Sequence, residues 1–180
     1  CFARCLVLSK ETAAVCGISW QEALSVLRIW EYTGQARRGY FVKGLSGAQF
    51  IRGTDYAAVV RRLQRPEKKL VWVNAADPAQ PWGKTLPHLP GRSFQNIQGN
   101  AVACLGGLPV AVMERQGKTL RMLGSEWQED GLQLFAQEYK RGRLFPLLKR
   151  IVVKEYPEGA EEAFASAGFL KEMRDYVLYR

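Results

Sequence analysis

The sequence predicts an α+β fold in which a partial winged helix is followed by a small antiparallel β-barrel and an αβαβ tail. Helical periods and then a glycine-linked pair of strands fill residues 1–66. Strand-like segments joined by two-residue glycine turns follow up to residue 123, and helix and strand patterns alternate from there on. We therefore expect a winged-helix-like domain over residues 1–66 and a second domain over residues 67–180.

The first domain opens with a β-rich stretch. Residues 2–8 predict a strand and residues 10–16 a short helix. Ser19 and Glu22 have capping-box spacing and predict the start of a longer helix that Gly34 ends. The apolar face of that helix would be formed by residues at three- and four-residue spacing: Trp20, Ala23, Leu24, Leu27 and Trp30.

A hairpin and a further helix complete this domain. Residues 37–43 and 48–51 read as two strands that residues 44–47, rich in glycine, connect. Thr54 predicts the cap of a helix that Pro66 ends. This order matches a winged helix that lacks its first helix, and since the chain opens on a cysteine rather than Met, we expect it to be a piece of a longer protein.

The second domain is predicted to be mostly strands. They occupy residues 69–73, 101–105, 108–115 and 118–123, and we expect the resulting meander to curl into a barrel. Residues 74–99 form a connection with four prolines and no helical or strand period, and connections of this length are more often functional than idle.

The tail repeats the helix and strand patterns. Ser125 and Gln128 form a second capping-box pattern, and the helix after them has an apolar face made of Leu132, Phe135, Ala136 and Tyr139. A strand, a short helix and a final strand are predicted at residues 151–156, 161–167 and 175–179. We expect this tail to be scaffold.

Charge is the main indication of function. The chain has 26 Lys and Arg against 17 Asp and Glu, a net charge of +9. Residues 1–124 account for +10 of this balance and residues 125–180 for −1. Such a basic surface favours a polyanion, most often nucleic acid. An anionic membrane is disfavoured, since no predicted helix pairs a lysine-rich face with an apolar one.

Several other site types are excluded. The four cysteines lack paired zinc-site spacing, and His88 is the only histidine, so no metal site is expected. Gly83-Lys84-Thr85 resembles the end of a phosphate-binding loop, but Pro78 stands where that motif needs glycine, so ATP binding here is not expected. No apolar stretch could span a bilayer, and scattered thiols fit a cytoplasmic location.

The candidate nucleic-acid contacts lie in the wing. The helix that begins after Ser19 would expose side chains with a net charge of −1, which suits a phosphate-lined groove poorly: Gln21, Glu22, Ser25, Arg28 and Glu31. Arg37, Arg38 and Lys43 instead surround Tyr40 and Phe41, and we expect them to contact the phosphate backbone. Neighbours on a strand face opposite ways, so one of the two aromatics packs inward and the other is open to base stacking.

Further candidates lie in the long connection. Trp82, Lys84 and Arg92 alternate aromatic faces and positive charges, with Phe94 close by, and could bind a single strand by stacking. The competing interpretation is that Trp82 fills the barrel core.

Two carboxylates are candidate catalytic groups. Asp77 lies in the long connection, although Asp77-Pro78 is also a common turn start, and Asp175 more simply reads as a charge at a strand edge.

Seven stretches in consistent order resemble one known family. They are residues 27–34 (LRIWEYTG), 37–42 (RRGYFV), 44–50 (GLSGAQF), 76–78 (ADP), 81–83 (PWG), 114–118 (ERQGK) and 167–169 (AGF). Together they resemble the C-terminal, DEAD/H-associated region of the large helicase-related (Lhr) superfamily 2 DNA helicases. The stretch over residues 37–50 is the most specific part.

The resemblance implies an accessory region that lies C-terminal to two motor domains and further winged helices. Proteins of that family hydrolyse ATP with Mg, translocate on single-stranded DNA, unwind duplexes that include RNA:DNA hybrids, and are linked to DNA repair. The motor motifs do not occur in this sequence.

Two functional hypotheses remain from the sequence. The first is a non-catalytic nucleic-acid-binding domain of a helicase, with weak, strongly salt-dependent binding and little sequence preference. The alternative is a DNA glycosylase-like domain that acts on a flipped base, with Asp77 or Asp175 as its carboxylate. Some relatives resemble such glycosylases in their far C-terminal regions, but the glutamine-rich motif of those enzymes does not occur here.

Overall fold

The computed structural model describes residues 1–65 and 67–180. The chain divides into two compact units, one formed by Cys1–Glu67 and Thr85–Pro87 and the other by Lys68–Lys84 and His88–Arg180. The predicted helix end at Pro66, and with it the predicted domain boundary, lies outside the described residues.

The first unit follows the predicted element order except at its start. Its elements are α1 (Lys10–Val15), α2 (Trp20–Tyr32), β1 (Ala36–Gly39), β2 (Gln49–Arg52) and α3 (Tyr56–Gln64). The predicted strand over residues 2–8 is wrong. The backbone of Cys1–Cys5 closes into a turn, and only Leu8 pairs, through two 2.8 Å hydrogen bonds with Phe50.

Helix starts in this unit differ from the predicted caps. Ser19 precedes α2 but makes no capping hydrogen bond. The capping box lies instead at Ser9 and Thr12, which opens α1. Asp55 rather than Thr54 precedes α3. The core of the unit is formed by the apolar side of α2 against β1 and β2, with Leu8, Ala13, Leu27, Ala36 and Phe50 buried.

The second unit contains the predicted meander. Strands β3 (Leu70–Asn74), β4 (Ala101–Leu105), β5 (Leu108–Glu114) and β6 (Thr119–Met122) form one antiparallel sheet in that order. A closed barrel is not confirmed, because among the described residues the strand order leaves β3 and β6 as the edges of this sheet. The outer side of β6 continues towards residues 154 and 155, where Leu120 N donates to Glu155 O at 2.8 Å.

The rest of the second unit consists of helices and a second sheet. It comprises α4 (Gly131–Lys140), β7 (Arg150–Val153), α5 (Glu161–Ser166), β8 (Leu170–Glu172) and β9 (Asp175–Tyr179). The αβαβ prediction missed β8, whose three residues are all exposed and show no alternation. The sheet order β7-β9-β8 makes β9 the central strand, so Asp175 is not on an edge strand but opens the middle one.

Helix α4 begins later than its predicted cap at Ser125. A Cβ atom at Gly131 would lie 2.3 Å from the Trp127 ring, and the Trp72 indole N–H donates to the Gly131 carbonyl at 2.8 Å. These contacts set the first turn at Gly131, with Asp130 before it. The predicted apolar face is confirmed, since all four of its residues are buried: Leu132, Phe135, Ala136 and Tyr139.

Candidate nucleic-acid interface

The hairpin of the first unit presents its cationic side chains to solvent. Arg37 and Arg38 lie on β1 opposite Ile51 and Phe50 of β2, and both arginines are exposed, as is Lys43 in the connecting loop. We define these three residues together with Tyr40 as the wing cluster. In the part of the chain that the structure describes, none of these three cations forms an ion pair with a carboxylate.

The two neighbouring aromatics of the hairpin face opposite ways, as predicted. Tyr40 is 83% exposed, whereas Phe41 packs inward with its ring edge-on to Tyr56 at a centroid distance of 6.1 Å. The Phe41 ring also lies over Gly39, where a Cβ atom would come within 2.6 Å of it. One aromatic face is therefore available beside the arginines for stacking on a base.

A buried amide holds the loop of the hairpin in shape. The Gln49 side chain is 1% exposed, and its Oε1 accepts hydrogen bonds from the backbone N–H groups of Phe41 and Val42, each at 2.8 Å. Its Nε2 donates to the carbonyl of Val42 at 2.9 Å. This amide satisfies backbone groups that the short ladder leaves unpaired, so the loop that carries Lys43 is preformed.

A carboxylate from α1 holds the same loop from the other side. Glu11 accepts hydrogen bonds from Ser46 N at 2.9 Å, from Ser46 Oγ, and from Ser9 Oγ at 2.7 Å. Partial burial raises the pKa of Glu11, but the hydrogen bonds from Ser46 and Ser9 outweigh it and bring that pKa from 4.5 to about 2. Glu11 therefore links helix and loop as an anion.

The exposed face of α2 does not suit a phosphate-lined DNA groove. Its negative charge was predicted from the sequence, and the structure adds a second reason. The five polar residues of that face are exposed as expected. Sequence reasoning missed that Val26, Ile29 and Tyr32 are exposed there as well. A face that combines a net negative charge with large apolar side chains does not match a line of phosphates.

The candidates in the long connection have structural partners within the second unit. Trp82 packs against a small core cluster that contains the buried Phe94, and its indole N–H donates to Gly107 O at 2.8 Å. Arg92 donates to both carboxylate oxygens of Glu126, at 2.8 and 3.0 Å, and to the carbonyl of Pro109. Phe94 is thus closed to base stacking, and the positive charge of Arg92 is already paired.

Lys84 is the exposed cation of this connection. Its Nζ donates to the backbone carbonyl of Asp77 at 2.7 Å. Partial burial lowers the pKa of Lys84, and the nearby Asp77 charge acts in the opposite direction. The ammonium that was predicted to contact a nucleic acid is therefore hydrogen-bonded to the backbone of its own connection.

The structure separates the two carboxylates. Asp77 Oδ1 accepts the N–H of Ala79 at 2.8 Å, which is the turn that its sequence context predicts, and the residue lines a groove of about 510 Å³. Asp175 lies 3.6 Å from the ammonium of Lys154 and lines a different groove. The two groups do not form one paired-carboxylate site.

Sequence reasoning missed the loop that joins α4 to β7. The whole tail was expected to be scaffold because its net charge is close to neutral, yet its cations cluster at residues 140–150. Leu147 in this loop is 94% exposed and lines the same groove as Asp77. The signal that could have found it is local: five cations and no carboxylate within eleven residues.

Metal and membrane sites have no support in the described part of the chain. No group of three or more His, Cys, Asp or Glu side chains there is placed to hold a metal ion. Among the described helices none is long and apolar enough to cross a membrane.

Comparison with known proteins relates the chain to a family model and to a protein of known name. A family model described as "large helicase-related protein, winged-helix domain" matches residues 2–71. A protein of Mycolicibacterium smegmatis named "Lhr helicase/probable uracil glycosylase" is 34% identical over 138 residues. This alignment covers 67% of the chain but only 9% of that relative, so the chain spans a small part of the relative's length.

The Glu11 contacts predict an acid-dependent loss of stability. A carboxyl whose pKa is lower in the folded than in the unfolded state stabilises the fold above its unfolded pKa, and this contribution disappears as the pH falls towards the folded pKa. We expect the free energy of unfolding to fall between about pH 5 and pH 2, and Glu11→Gln to flatten that part of the profile. Urea titrations across this range measure it. A Glu11→Gln profile parallel to that of the unsubstituted chain would contradict the expectation.

The Trp82 contacts predict a structural effect of its substitution. Trp82→Ala removes core packing and an indole hydrogen bond, so we expect it to lower the free energy of unfolding by roughly 1–3 kcal/mol. The exposed Tyr40→Ala should leave that free energy almost unchanged. If Trp82→Ala instead keeps its stability and selectively weakens binding to single strands, the stacking interpretation holds and the core interpretation is wrong.

Proposed function

Since residues 2–71 belong to the winged-helix family of large helicase-related (Lhr) proteins, we propose that this chain is a nucleic-acid-binding accessory segment of an ATP-dependent DNA helicase. The motor domains, which would bind ATP and Mg, would belong to the same longer chain. The substrates would be single-stranded DNA, duplex DNA or RNA:DNA hybrids, in processes such as DNA repair.

The observation that carries this proposal is the wing cluster. Arg37, Arg38 and Lys43 are exposed on a hairpin whose loop is held by Gln49 and Glu11. A preformed cationic loop loses little conformational freedom when it binds phosphates. Contacts of this kind position a protein on the backbone without reading sequence, which suits an accessory segment that must follow a motor along any strand.

The proposal gives the wing cluster a measurable role. Each of Arg37→Ala, Arg38→Ala and Lys43→Ala should weaken binding similarly for all sequences and lower the slope of log affinity against log salt by about one. Anisotropy titrations of labelled single-stranded, duplex and hybrid oligonucleotides at several salt concentrations measure both quantities.

Arg28→Ala is the matched control, because it removes the same charge from the exposed face of α2. Its slope should equal that of the unsubstituted chain. Nucleic-acid binding that is unaffected by salt would contradict the proposal. An unchanged slope of log affinity against log salt in all three wing variants would place the phosphate contact elsewhere in the chain.

A second candidate function has one specific observation in its favour. The M. smegmatis relative carries uracil glycosylase in its name, and Asp77 lines a groove in the second unit. In such a reaction water adds to the sugar carbon as the bond to the base breaks, and the base leaves with the bonding electron pair. A carboxylate takes the proton from that water and passes it to the departing base. Asp77 would be that carboxylate, on a base turned out of the stack.

This candidate predicts uracil release that depends on Asp77. The chain would be incubated with a labelled single strand that contains uracil, and abasic sites would be detected by alkaline cleavage. Asp77→Asn should abolish cleavage, whereas Asp175→Asn, in the other groove, should retain it. An unsubstituted chain that binds the strand and leaves it intact would refute the glycosylase and leave the accessory role standing.

A further inference from the structure

We propose that the loop over residues 141–149, between α4 and β7, is a second nucleic-acid contact and that Leu147 at its tip inserts between bases where a strand is opened. The inference rests on the nucleic-acid binding proposed above, but it assigns a contact to the second unit in addition to the wing cluster of the first. It also names the structure that would be recognised, an unpaired or unstacked base step.

Leu147 differs from an ordinary exposed leucine in how its loop is held. Its side chain is 94% exposed, whereas Leu144 and Phe145 before it are buried at 1% and 5%. The Phe145 backbone has a φ of +45°, which a bulky residue rarely adopts. The loop thus turns sharply after its buried residues and points one large apolar side chain into solvent.

The last residue of the chain holds this loop in place. The Arg180 guanidinium donates to the carbonyl oxygens of Phe145 at 3.2 Å and Pro146 at 2.6 Å, and lies 4.5 Å from the centre of the Tyr139 ring. The Tyr139 hydroxyl donates to Leu148 O at 2.9 Å. A loop tied at both sides is preformed, so inserting Leu147 costs little ordering.

Charge identifies the kind of partner. Between residues 140 and 150 the chain carries five cations and no carboxylate: Lys140, Arg141, Arg143, Lys149 and Arg150. Glu138 bonds both Arg141 at 2.9 Å and Arg143 at 3.0 Å, which orients the two guanidinium groups while it offsets part of their charge. An apolar tip surrounded by cations fits a phosphate backbone with bases inside it.

The groove beside Leu147 fits a base that has left the stack. Its volume of about 510 Å³ lies within the range of roughly 300–1,000 Å³ of small-molecule sites. Its lining includes the apolar Phe145, Pro146 and Leu148, the amide-bearing residues Gln98 and Gln116, and Asp77. Apolar surface for the base face and amides for its polar edge are the two elements that recognise a splayed base.

The test uses the whole chain and two duplexes that differ in one feature. Both carry 2-aminopurine, which fluoresces when it is unstacked, either fully paired or in a one-base bulge. The unsubstituted chain should bind the bulged duplex more tightly and raise its fluorescence. Leu147→Ala should lose that rise and bind the bulged duplex about tenfold more weakly, while its salt slope and its urea denaturation stay unchanged.

Leu170→Ala is the matched control, because it makes the same change at another exposed leucine of the second unit. It should behave as the unsubstituted chain. Binding without a rise in fluorescence, or a Leu147→Ala variant that matches the unsubstituted chain, overturns the wedge while the proposed function stands. Binding to neither duplex nor to a single strand refutes both.

The alternative partner of this loop is a second copy of the chain. If Leu147→Ala changed the sedimentation of the chain on its own and left DNA affinity intact, the loop would be a contact between copies of the chain, and the wedge would be wrong. Lys149→Gln separates the two cases further. If Lys149 contacts a phosphate, the loss of that contact in the variant should lower the salt slope of DNA binding by about one.

Discussion

The indole of Trp72 connects the four-stranded sheet of the second unit to α4. Its N–H group donates to the Gly131 carbonyl at 2.8 Å, and its ring meets the Phe135 ring edge-on at 5.0 Å. A buried indole N–H without a partner would cost about 1–3 kcal/mol, so the first turn of α4 has to stay at this point of β3. The position of α4 in turn places Tyr139, which anchors the loop that carries Leu147.

The first unit applies the same physical solution to its hairpin. Gln49 is buried where an apolar side chain would be expected, and it bonds the backbone of the loop instead. Glu11 adds a second polar contact from α1. In both units, then, a polar side chain satisfies backbone groups of a loop and leaves that loop preformed, with its cations directed to solvent.

The candidate site was predictable in part from the sequence of the hairpin. Tyr40 and Phe41 do face opposite ways, although they follow β1 rather than continue it. Arg37 and Arg38 are both exposed although they are neighbours on β1, so alternation alone does not account for them. The long connection was not predictable in this way, because a segment without a period gives no sign of which side chains are buried. Its aromatic at position 94 belongs to a core cluster instead.

Helical period, strand alternation and glycine turns determined most of the elements, because these patterns report contacts between residues close in the chain. Only the tertiary structure decided which sheet edges are paired and which charged side chains form ion pairs. Glu155 takes the edge of β6, and Glu126 neutralises Arg92 from 34 residues away. Arg180 likewise decides the shape of the loop around Leu147 from 35 residues beyond Phe145. No local pattern encodes such partners, since they meet only when sheets and helices have packed.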